Sequence, residues 1–340
     1  MKIIPGLTLP SEMRALVLNE FNANPKTQQV AVPLPGKKEV LIEIDSSPVN
    51  PSDYSFIRGL YSTKKQLPVI PGFEASGRVV ATGDDFMSRR LLGKSVACFA
   101  PMNGNGTWAE YMVTKNNMVI PLKKAVDIEQ GSMLMVNPLS VVAMIEIAKK
   151  GKHKAIANTA AASALGRIMI RLCNEKHLPL VNIVRREEQV NLLKSQGAKY
   201  VVNSSDKNYL ADLSLIFNKL QVSLAYDAIS GQSVFDLLEA LPVGGEVMVY
   251  GGLSEKAAVV NPAKLIFEKK KVSGFWLSEW ITHQSTLKML TQFNKIQKLL
   301  SEDHLITINR RVSLEETVDG IASYIDKMTV GKILVKPGIK

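Results

Sequence analysis

Small residues occupy positions 159–163 (Thr-Ala-Ala-Ala-Ser), between an apolar stretch and a helical pattern. Residues 154–158 predict a strand, and residues 164–174 predict a helix. Small residues between two such elements let the backbone approach a pyrophosphate, whose charge the helix N-terminus stabilises. The segment therefore predicts a dinucleotide loop, although an ordinary helix start also explains it. The residues predicted to contact the cofactor here are Ala162, Ser163, Ala164 and Leu165.

Two arginines follow the next predicted strand. Arg185 and Arg186 come directly after the apolar residues 180–184. An enzyme that uses NAD usually has an acidic residue near this point, to bind the ribose 2′-hydroxyl. Guanidinium groups instead bind phosphate through paired hydrogen bonds. The pair therefore predicts NADPH as cofactor; Glu187 leaves some use of NADH open, and a solvated helix start is the alternative.

The elements that would position these residues change in type near residue 127. Residues 13–125 contain short β-type runs with frequent prolines, which predict strands and turns. Residues 128–150 form an apolar stretch of helix length that is interrupted at Asn137 and Pro138. Strand and helix patterns then alternate up to residue 250, which favours a parallel sheet with helices on both faces. The predicted fold class is therefore α/β with a β-rich first domain and a doubly wound cofactor domain.

Composition limits the functional classes. The chain has 340 residues, enough for roughly two domains. It shows no signal peptide and no apolar run of about 18 residues, so we expect a cytoplasmic protein without a membrane span. Cys98 and Cys173 lack a metal-binding spacing and are expected to be buried thiols. The net charge of +11 is dispersed, which favours anionic small molecules over specific nucleic-acid binding.

Three segments of the first domain carry a resemblance to a known family. These are residues 49–53 (Val-Asn-Pro-Ser-Asp), residues 58–61 (Arg-Gly-Leu-Tyr) and residues 71–77 (Pro-Gly-Phe-Glu-Ala-Ser-Gly). Together they resemble the GroES-like substrate domain of medium-chain dehydrogenases/reductases. Zinc enzymes of that superfamily carry a metal-binding His where Phe73 stands and a Cys where Asn50 stands. The resemblance therefore implies a zinc-independent member with no metal site.

Further matches point to one branch of that superfamily. Residues 273–280 (Ser-Gly-Phe-Trp-Leu-Ser-Glu-Trp) are similar to a segment of the mitochondrial trans-2-enoyl-CoA reductases that lies near the nicotinamide and the acyl pocket. An aromatic edge strand at a subunit interface is the alternative interpretation. Quinone oxidoreductases share several of these features. The additional cofactor-binding residues implied by the resemblance, or by glycines after a strand, are Asn137, Ser140, Tyr250, Gly251, Gly252, Phe275, Trp276 and Lys332.

Without a metal, hydrogen-bond donors must polarise the carbonyl group of the substrate. Tyr61 matches the tyrosine assigned as catalytic in the enoyl reductase branch, and it would give a proton or hydrogen bond to the substrate. Asn50 would orient the nicotinamide amide or the substrate carbonyl. The predicted function is NADPH-dependent reduction of an activated double bond, in an enoyl thioester or enone. The alternatives are quinone reduction and a non-catalytic NADPH sensor; a pocket-wall role is the alternative for Tyr61.

The resemblance also implies how the chain is divided and assembled. The substrate domain is expected to comprise residues 1–127 and 304–340, with the C-terminal segment returning to the first domain. The NADPH domain is expected at residues 128–303. Pairing of edge strands of the cofactor domain would make a homodimer, as in much of the superfamily.

Overall fold

A computed structural model describes residues 1–61, 65–302 and 306–339. The chain divides into two compact units: the first is Met1–Val136 with Met289–Lys340, and the second is Asn137–Lys288. The C-terminal segment therefore belongs with the N-terminal one. No helix in the described part of the chain is long and apolar enough to cross a bilayer.

The strands of the described residues are β1 Lys2–Ile3, β2 Glu12–Val17, β3 Lys26–Ala31, β4 Glu39–Pro48, β5 Glu74–Thr82, β6 Ser95–Phe99, β7 Tyr111–Lys115, β8 Val119–Pro121, β9 Ala155–Asn158, β10 Leu180–Val184, β11 Tyr200–Asn203, β12 Val222–Asp227, β13 Glu246–Val249, β14 Lys271–Gly274, β15 Ile308–Val312 and β16 Lys332–Val335. The α-helices are α1 Pro51–Ile57, α2 Phe86–Arg89, α3 Ile128–Ser132, α4 Asn137–Lys150, α5 Ala164–Glu175, α6 Glu187–Ser195, α7 Tyr209–Leu220, α8 Gln232–Ala240, α9 Pro262–Ile266, α10 Leu277–Thr282, α11 Thr286–Glu302 and α12 Thr317–Asp326. A 3₁₀ turn spans Asn116–Met118.

The second unit is built on a parallel sheet in the order β11-β10-β9-β12-β13-β14. Strands β9 and β10 are buried along their whole length, as expected for strands covered on both faces. One core combines Val181 and Ala225 of the sheet with Phe217 of α7 and Leu237 of α8. This order, with the first strand in the centre, confirms the predicted doubly wound sheet.

The first unit is β-rich, and β4 and β5 are its central strands. Its main sheet runs β15-β16-β4-β5-β6-β8, with β7 also paired to β4 and β1 to β5. On β4, Val40 and Ile42 face one core while Leu41 faces another. The last strand, β16, pairs antiparallel with the end of β4, with Leu334 opposite Pro48. This pairing brings the C-terminal segment beside the start of α1.

The boundaries of the units differ from the predicted ones. Helix α3 packs against β4, β5 and β6, so residues 128–136 group with the first unit. In α11, the side chain of Gln297 accepts a hydrogen bond from the backbone N–H of Lys123, which ties this helix to the first unit. The predicted boundary between residues 303 and 304 lies outside the described residues.

Two local predictions also need correction. The break in the apolar stretch falls at residues 133–136, and α4 begins at Asn137 with Pro138 in its first turn. Proline is tolerated there because the first turn leaves its N–H groups without helical partners. The segment 273–280 is not one edge strand, because β14 ends at Gly274 and Trp280 lies in α10.

Helix α7 provides a test of where the second unit is stabilised. Phe217 is completely buried, whereas Leu215 on the same helix is 68% exposed. Phe217→Ala is expected to lower the free energy of unfolding by roughly 3–5 kcal/mol, because it leaves a cavity. Leu215→Ala is the matched control and should change it by less than about 0.5 kcal/mol. Urea unfolding measures both, and equal effects would contradict the assignment of the core.

Candidate active site

Two glycines hold the 71–77 segment in close contact with its neighbours. Gly72 has a φ of +98°, and a Cβ there would lie 2.2 Å from Oγ1 of Thr107. A Cβ on Gly77 would lie 2.1 Å from the carbonyl oxygen of Glu43 on β4. Glycine is required where the backbone approaches this closely. The segment therefore places Phe73 and Glu74, which lie between the two glycines, at fixed positions.

A buried polar network lies at the start of α1. Asn50, the N-cap residue, donates its backbone N–H to Oδ2 of Asp53 at 2.7 Å. Its side-chain nitrogen donates to Oε1 of Glu74 at 2.9 Å, and its side-chain oxygen accepts from Nζ of Lys332. All of these side chains are almost fully buried. Asn50 therefore bridges a buried cation and a buried carboxyl group.

Lys332 uses its donors within the first unit. Besides Asn50, its ammonium group donates to the carbonyl oxygen of Val49 at 3.0 Å and to the hydroxyl of Tyr324 at 3.1 Å. An ammonium group has three N–H donors, and the three acceptors satisfy them. The structure thus places Lys332 with Asn50 in the first unit. Its binding to the cofactor, implied by the resemblance, stays a prediction.

Burial alters the acidity of both carboxyl groups. Loss of hydration raises the pKa of Asp53 to about 7, against the hydrogen bond from Asn50 and the charge of Lys332. It also raises the pKa of Glu74 to about 7, against the hydrogen bonds that this group accepts. Oδ1 of Asp53 accepts no hydrogen bond from the described residues. Both groups therefore change their protonation near neutral pH.

Aromatic rings adjoin this network. The ring centroids of Tyr61 and Phe73 are 5.0 Å apart, and Phe73 meets Phe56 edge-on at 5.8 Å. Nζ of Lys65 lies 5.7 Å from the centroid of the Phe73 ring and donates to the carbonyl oxygen of Gly104. Burial lowers the pKa of Lys65 to about 8. The structure therefore surrounds Phe73 with a tyrosine, a second aromatic ring and a buried lysine.

Three residues of this site were missed in the sequence. Asp53 lies within the quoted 49–53 motif, three residues after Asn50, so its capping position was a usable signal. Lys65 and Tyr324 carry no local signal, because burial of each depends on contacts distant in sequence. Within residues 1–61, 65–302 and 306–339, no three or more His, Cys, Asp or Glu side chains are grouped as metal ligands.

In the second unit, the loop after β9 has the predicted form. Oγ of Ser163 caps α5 by accepting from the backbone N–H of Gly166 at 3.2 Å. A Cβ on Gly166 would lie 2.2 Å from the carbonyl oxygen of Ala161, so the helix packs tightly on the loop. Nδ2 of Asn158, at the end of β9, is buried and has no acceptor among the described residues. A capped helix start fits an anionic group such as a pyrophosphate, and Asn158 has an unused donor at the end of the preceding strand.

The carboxyl ends of the parallel strands collect other predicted residues at one edge. Arg185 and Arg186 follow β10 with exposed side chains, and Arg186 pairs with Glu188 at 3.1 Å. The hydroxyl of Tyr250, after β13, donates to Oδ1 of Asn158 at 3.2 Å. Asn158 is thus a further residue of this edge that sequence reasoning missed.

The remaining predicted residues also have defined places. A Cβ on Gly251 would lie 2.8 Å from the carbonyl oxygen of Ala228, which follows β12, and Gly252 is open. The backbone N–H of Phe275 donates to the carbonyl oxygen of Val249, so Phe275 and Trp276 follow β14 at the same edge. Asn137 and Ser140 lie in the first turn of α4 and are mostly buried. Contact of these residues with a cofactor stays a prediction.

Comparison with known proteins supports both units. Residues 36–124 match the alcohol dehydrogenase GroES-like domain, and residues 164–294 match the zinc-binding dehydrogenase family. The chain belongs to the medium-chain dehydrogenase/reductase superfamily, whose members use nicotinamide cofactors. The predicted GroES-like domain and the predicted oxidoreductase class are thereby confirmed.

Within that superfamily, the similar proteins include enoyl reductases and quinone reductases. The chain is 30% identical to a mitochondrial enoyl-acyl-carrier-protein reductase of Caenorhabditis elegans, over 74% of this chain and 72% of the relative. It is 29% identical to the Mus musculus enzyme of the same name, over 82% and 76%. A crystal structure of an assigned NADPH:quinone reductase from Mesorhizobium loti is 34% identical, with a TM-score of 0.89, over 97% and 100%. The predicted branch is confirmed.

The raised pKa values of Asp53 and Glu74 predict how stability depends on pH. The folded protein holds protons that the unfolded chain releases between about pH 4 and pH 7. Both groups should therefore lower the free energy of unfolding as pH rises through this window, each by roughly 3–4 kcal/mol. Urea unfolding across the window should show a smaller loss for Asp53→Asn than for the native protein. Glu12→Gln, at an exposed position, is the control; an unchanged slope in Asp53→Asn would contradict the prediction.

Proposed function

We propose that the protein is an NADPH-dependent, metal-free reductase of activated carbon–carbon double bonds in enoyl thioesters or enones. The observation that carries this proposal is the contact between Tyr61 and Phe73. A phenyl ring, which cannot ligate a metal, stands where zinc members of the superfamily have a histidine. A tyrosine hydroxyl on the adjoining ring can act on a carbonyl group instead. The enoyl reductases among the relatives support the same choice of substrate.

Each chemical step requires a separate group. NADPH, when bound, supplies the hydride that adds to the β-carbon of the substrate. Tyr61 donates a hydrogen bond to the carbonyl oxygen, where negative charge develops, or a proton to the α-carbon. Asn50 has both ends of its amide engaged inside the first unit. We therefore assign Asn50 an indirect effect on the substrate, through the fixed start of α1. A direct contact with the substrate would have to be made in addition to these two hydrogen bonds.

The cofactor side rests on the second unit. The capped start of α5 and the unused donor of Asn158 suit the pyrophosphate. Arg185 and Arg186 are exposed at the edge where the carboxyl ends of the strands lie, and we assign them to the 2′-phosphate. This phosphate distinguishes NADPH from NADH.

Quinone reduction is the second candidate. The relative with 34% identity and nearly full coverage is an assigned quinone reductase. Phe56, Phe73 and Tyr61 form an aromatic cluster on which a flat acceptor could stack. This reaction needs no proton donor at a thioester carbonyl, so the role of Tyr61 separates the two candidates.

We also propose a homodimer formed through β14. This strand is the edge of the parallel sheet in the second unit. Large apolar side chains near it are exposed, and among them Phe267 is 79% exposed. An exposed strand edge beside apolar side chains favours pairing with a second copy.

The role of Tyr61 is tested with Tyr61→Phe and a crotonyl thioester as substrate. Loss of the hydroxyl should lower kcat by roughly 100-fold with little change in KM, since it acts in the transition state. Tyr54→Phe is the matched control, because Tyr54 lies in the same unit and its hydroxyl accepts from Arg58. NADPH oxidation measures both, and unchanged turnover in Tyr61→Phe would remove the catalytic assignment.

Cofactor preference is tested by the Arg185→Ala, Arg186→Ala double variant. Loss of charge-assisted hydrogen bonds to the 2′-phosphate should weaken NADPH binding by roughly 10- to 100-fold and leave NADH binding nearly unchanged. Arg171→Ala is the control, because Arg171 is paired with Glu175 on the surface of α5. Fluorescence titration with each cofactor measures the change, and equal losses for NADPH and NADH would contradict the assignment.

A further inference from the structure

The orientation of the Asn50 amide is determined by its two neighbours. The ammonium group of Lys332 only donates, so the end of the amide that faces it must be the oxygen. The carboxylate of Glu74 only accepts, so the end that faces it must be the nitrogen, 2.9 Å away. Exchanging the two ends of the amide would put a donor against a donor and an acceptor against an acceptor.

Glu74 accepts hydrogen bonds on both of its oxygens. Oε1 accepts from Asn50, while Oε2 accepts from the backbone N–H groups of Met135 at 3.0 Å and Val136 at 2.9 Å. An ionised carboxylate accepts in all three places and has no donor of its own, whereas the protonated form adds an O–H donor that needs an acceptor. A proton on Glu74 has no acceptor in this arrangement. If the amide of Asn50 reverses, its oxygen accepts a hydrogen bond from that proton; its nitrogen then faces Lys332, whose ammonium group loses one acceptor and keeps its two others.

The same network holds both segments that flank Tyr61. Asn50 caps α1, and the chain continues from this helix to Tyr61. Phe73 precedes Glu74 directly, and its ring contacts the ring of Tyr61. A change at Glu74 therefore reaches Tyr61 through two covalently linked segments.

We propose that Glu74 is a positioning residue of the active site, which accepts hydrogen bonds on both carboxylate oxygens and so fixes the amide of Asn50. A proton on Glu74 reverses this amide and lowers turnover. The kinetic part of this inference rests on the proposed function. The structural part, the reversal of the amide, does not.

Ionisable groups from several elements interact with this network, including Tyr324, which accepts from Lys332, and Lys65, whose pKa burial lowers to about 8 against the charge of Asp53. Burial raises the pKa of Glu74 to about 7, and the charge of Lys332 opposes that rise. Asp53, the nearest second carboxyl group, has a pKa raised by burial to a similar value and is the main competing source of any effect near pH 7. Burial raises the pKa of Cys98 to about 12, so this thiol stays protonated in that range.

The structural test observes Asn50 directly. In protein labelled with ¹⁵N-asparagine, the side-chain amide signals of Asn50 are assigned by their absence in Asn50→Asp. They should shift with a midpoint near pH 7 in the native protein and in Asp53→Asn, and should not titrate in Glu74→Gln. Signals that do not titrate in the native protein, or that lose their titration in Asp53→Asn instead, would overturn the inference.

The kinetic test compares kcat across the same range of pH. Native turnover of a crotonyl thioester should fall about tenfold per pH unit below the midpoint, as for one essential ionisation. Glu74→Gln should be slower at neutral pH, by roughly tenfold, and independent of pH. Glu110→Gln is the matched control, because Glu110 also accepts a backbone N–H, from Arg14, but lies outside the network. A Glu74→Gln enzyme with native kcat and the native acidic limb would overturn the positioning role.

A rescue variant and the NMR result separate the possible failures. Adding Asn50→Asp to Glu74→Gln transfers the carboxylate from position 74 to position 50. There it can accept hydrogen bonds from both Lys332 and the amide that Glu74→Gln introduces. This double variant should recover thermal stability relative to Asn50→Asp, which places two carboxyl groups side by side. Absence of recovery counts against the network. If the amide signals titrate as expected but no enoyl thioester is reduced by native protein, the proposed function fails while the amide reversal stands.

Discussion

The buried ammonium group of Lys332 is the constraint on which the polar site of the first unit depends. A cation removed from water is costly unless acceptors surround it. Its acceptors are the backbone carbonyl of Val49, the amide of Asn50 and the hydroxyl of Tyr324. Through the amide it also compensates the charge of Glu74. The cation and Glu74 together thus decide which way the amide points, and the cation also favours the ionised form of that carboxyl group.

The two units place their functional polar groups in different environments. The first unit keeps its network buried, where the strength of each hydrogen bond is increased and each missing partner is costly. The second unit keeps its candidate groups at the ends of strands, where the backbone stops pairing and donors remain available. Oxidoreductase chemistry needs both, since a charged cofactor must enter from water and the reacting carbonyl needs donors with fixed direction.

Much of the second unit could be predicted from sequence because its signals are local. Strand β10 has the predicted bounds and helix α5 exceeds them by one residue, since each is a continuous pattern. The break before α4 was misplaced because Pro138 suits both a break and a first helical turn. In the first unit, the resemblance found Asn50, Tyr61 and Phe73. It did not find the contact of Lys332 with Asn50, residues 282 positions apart in sequence, which is set by pairing of β16 with β4.

The order of the chain has a consequence for biosynthesis. The second unit is continuous in sequence, whereas the first needs β16 from the last segment of the chain. Domains generally fold as units during synthesis, from the N-terminus onward. Here the end of β4 stays unpaired, and Glu74 lacks the nearby charge of Lys332, until β16 has been synthesised. The second unit can already form before that point. The second unit of the nascent chain can therefore fold before the first unit is complete, and strand β16 is the last strand that the first unit requires.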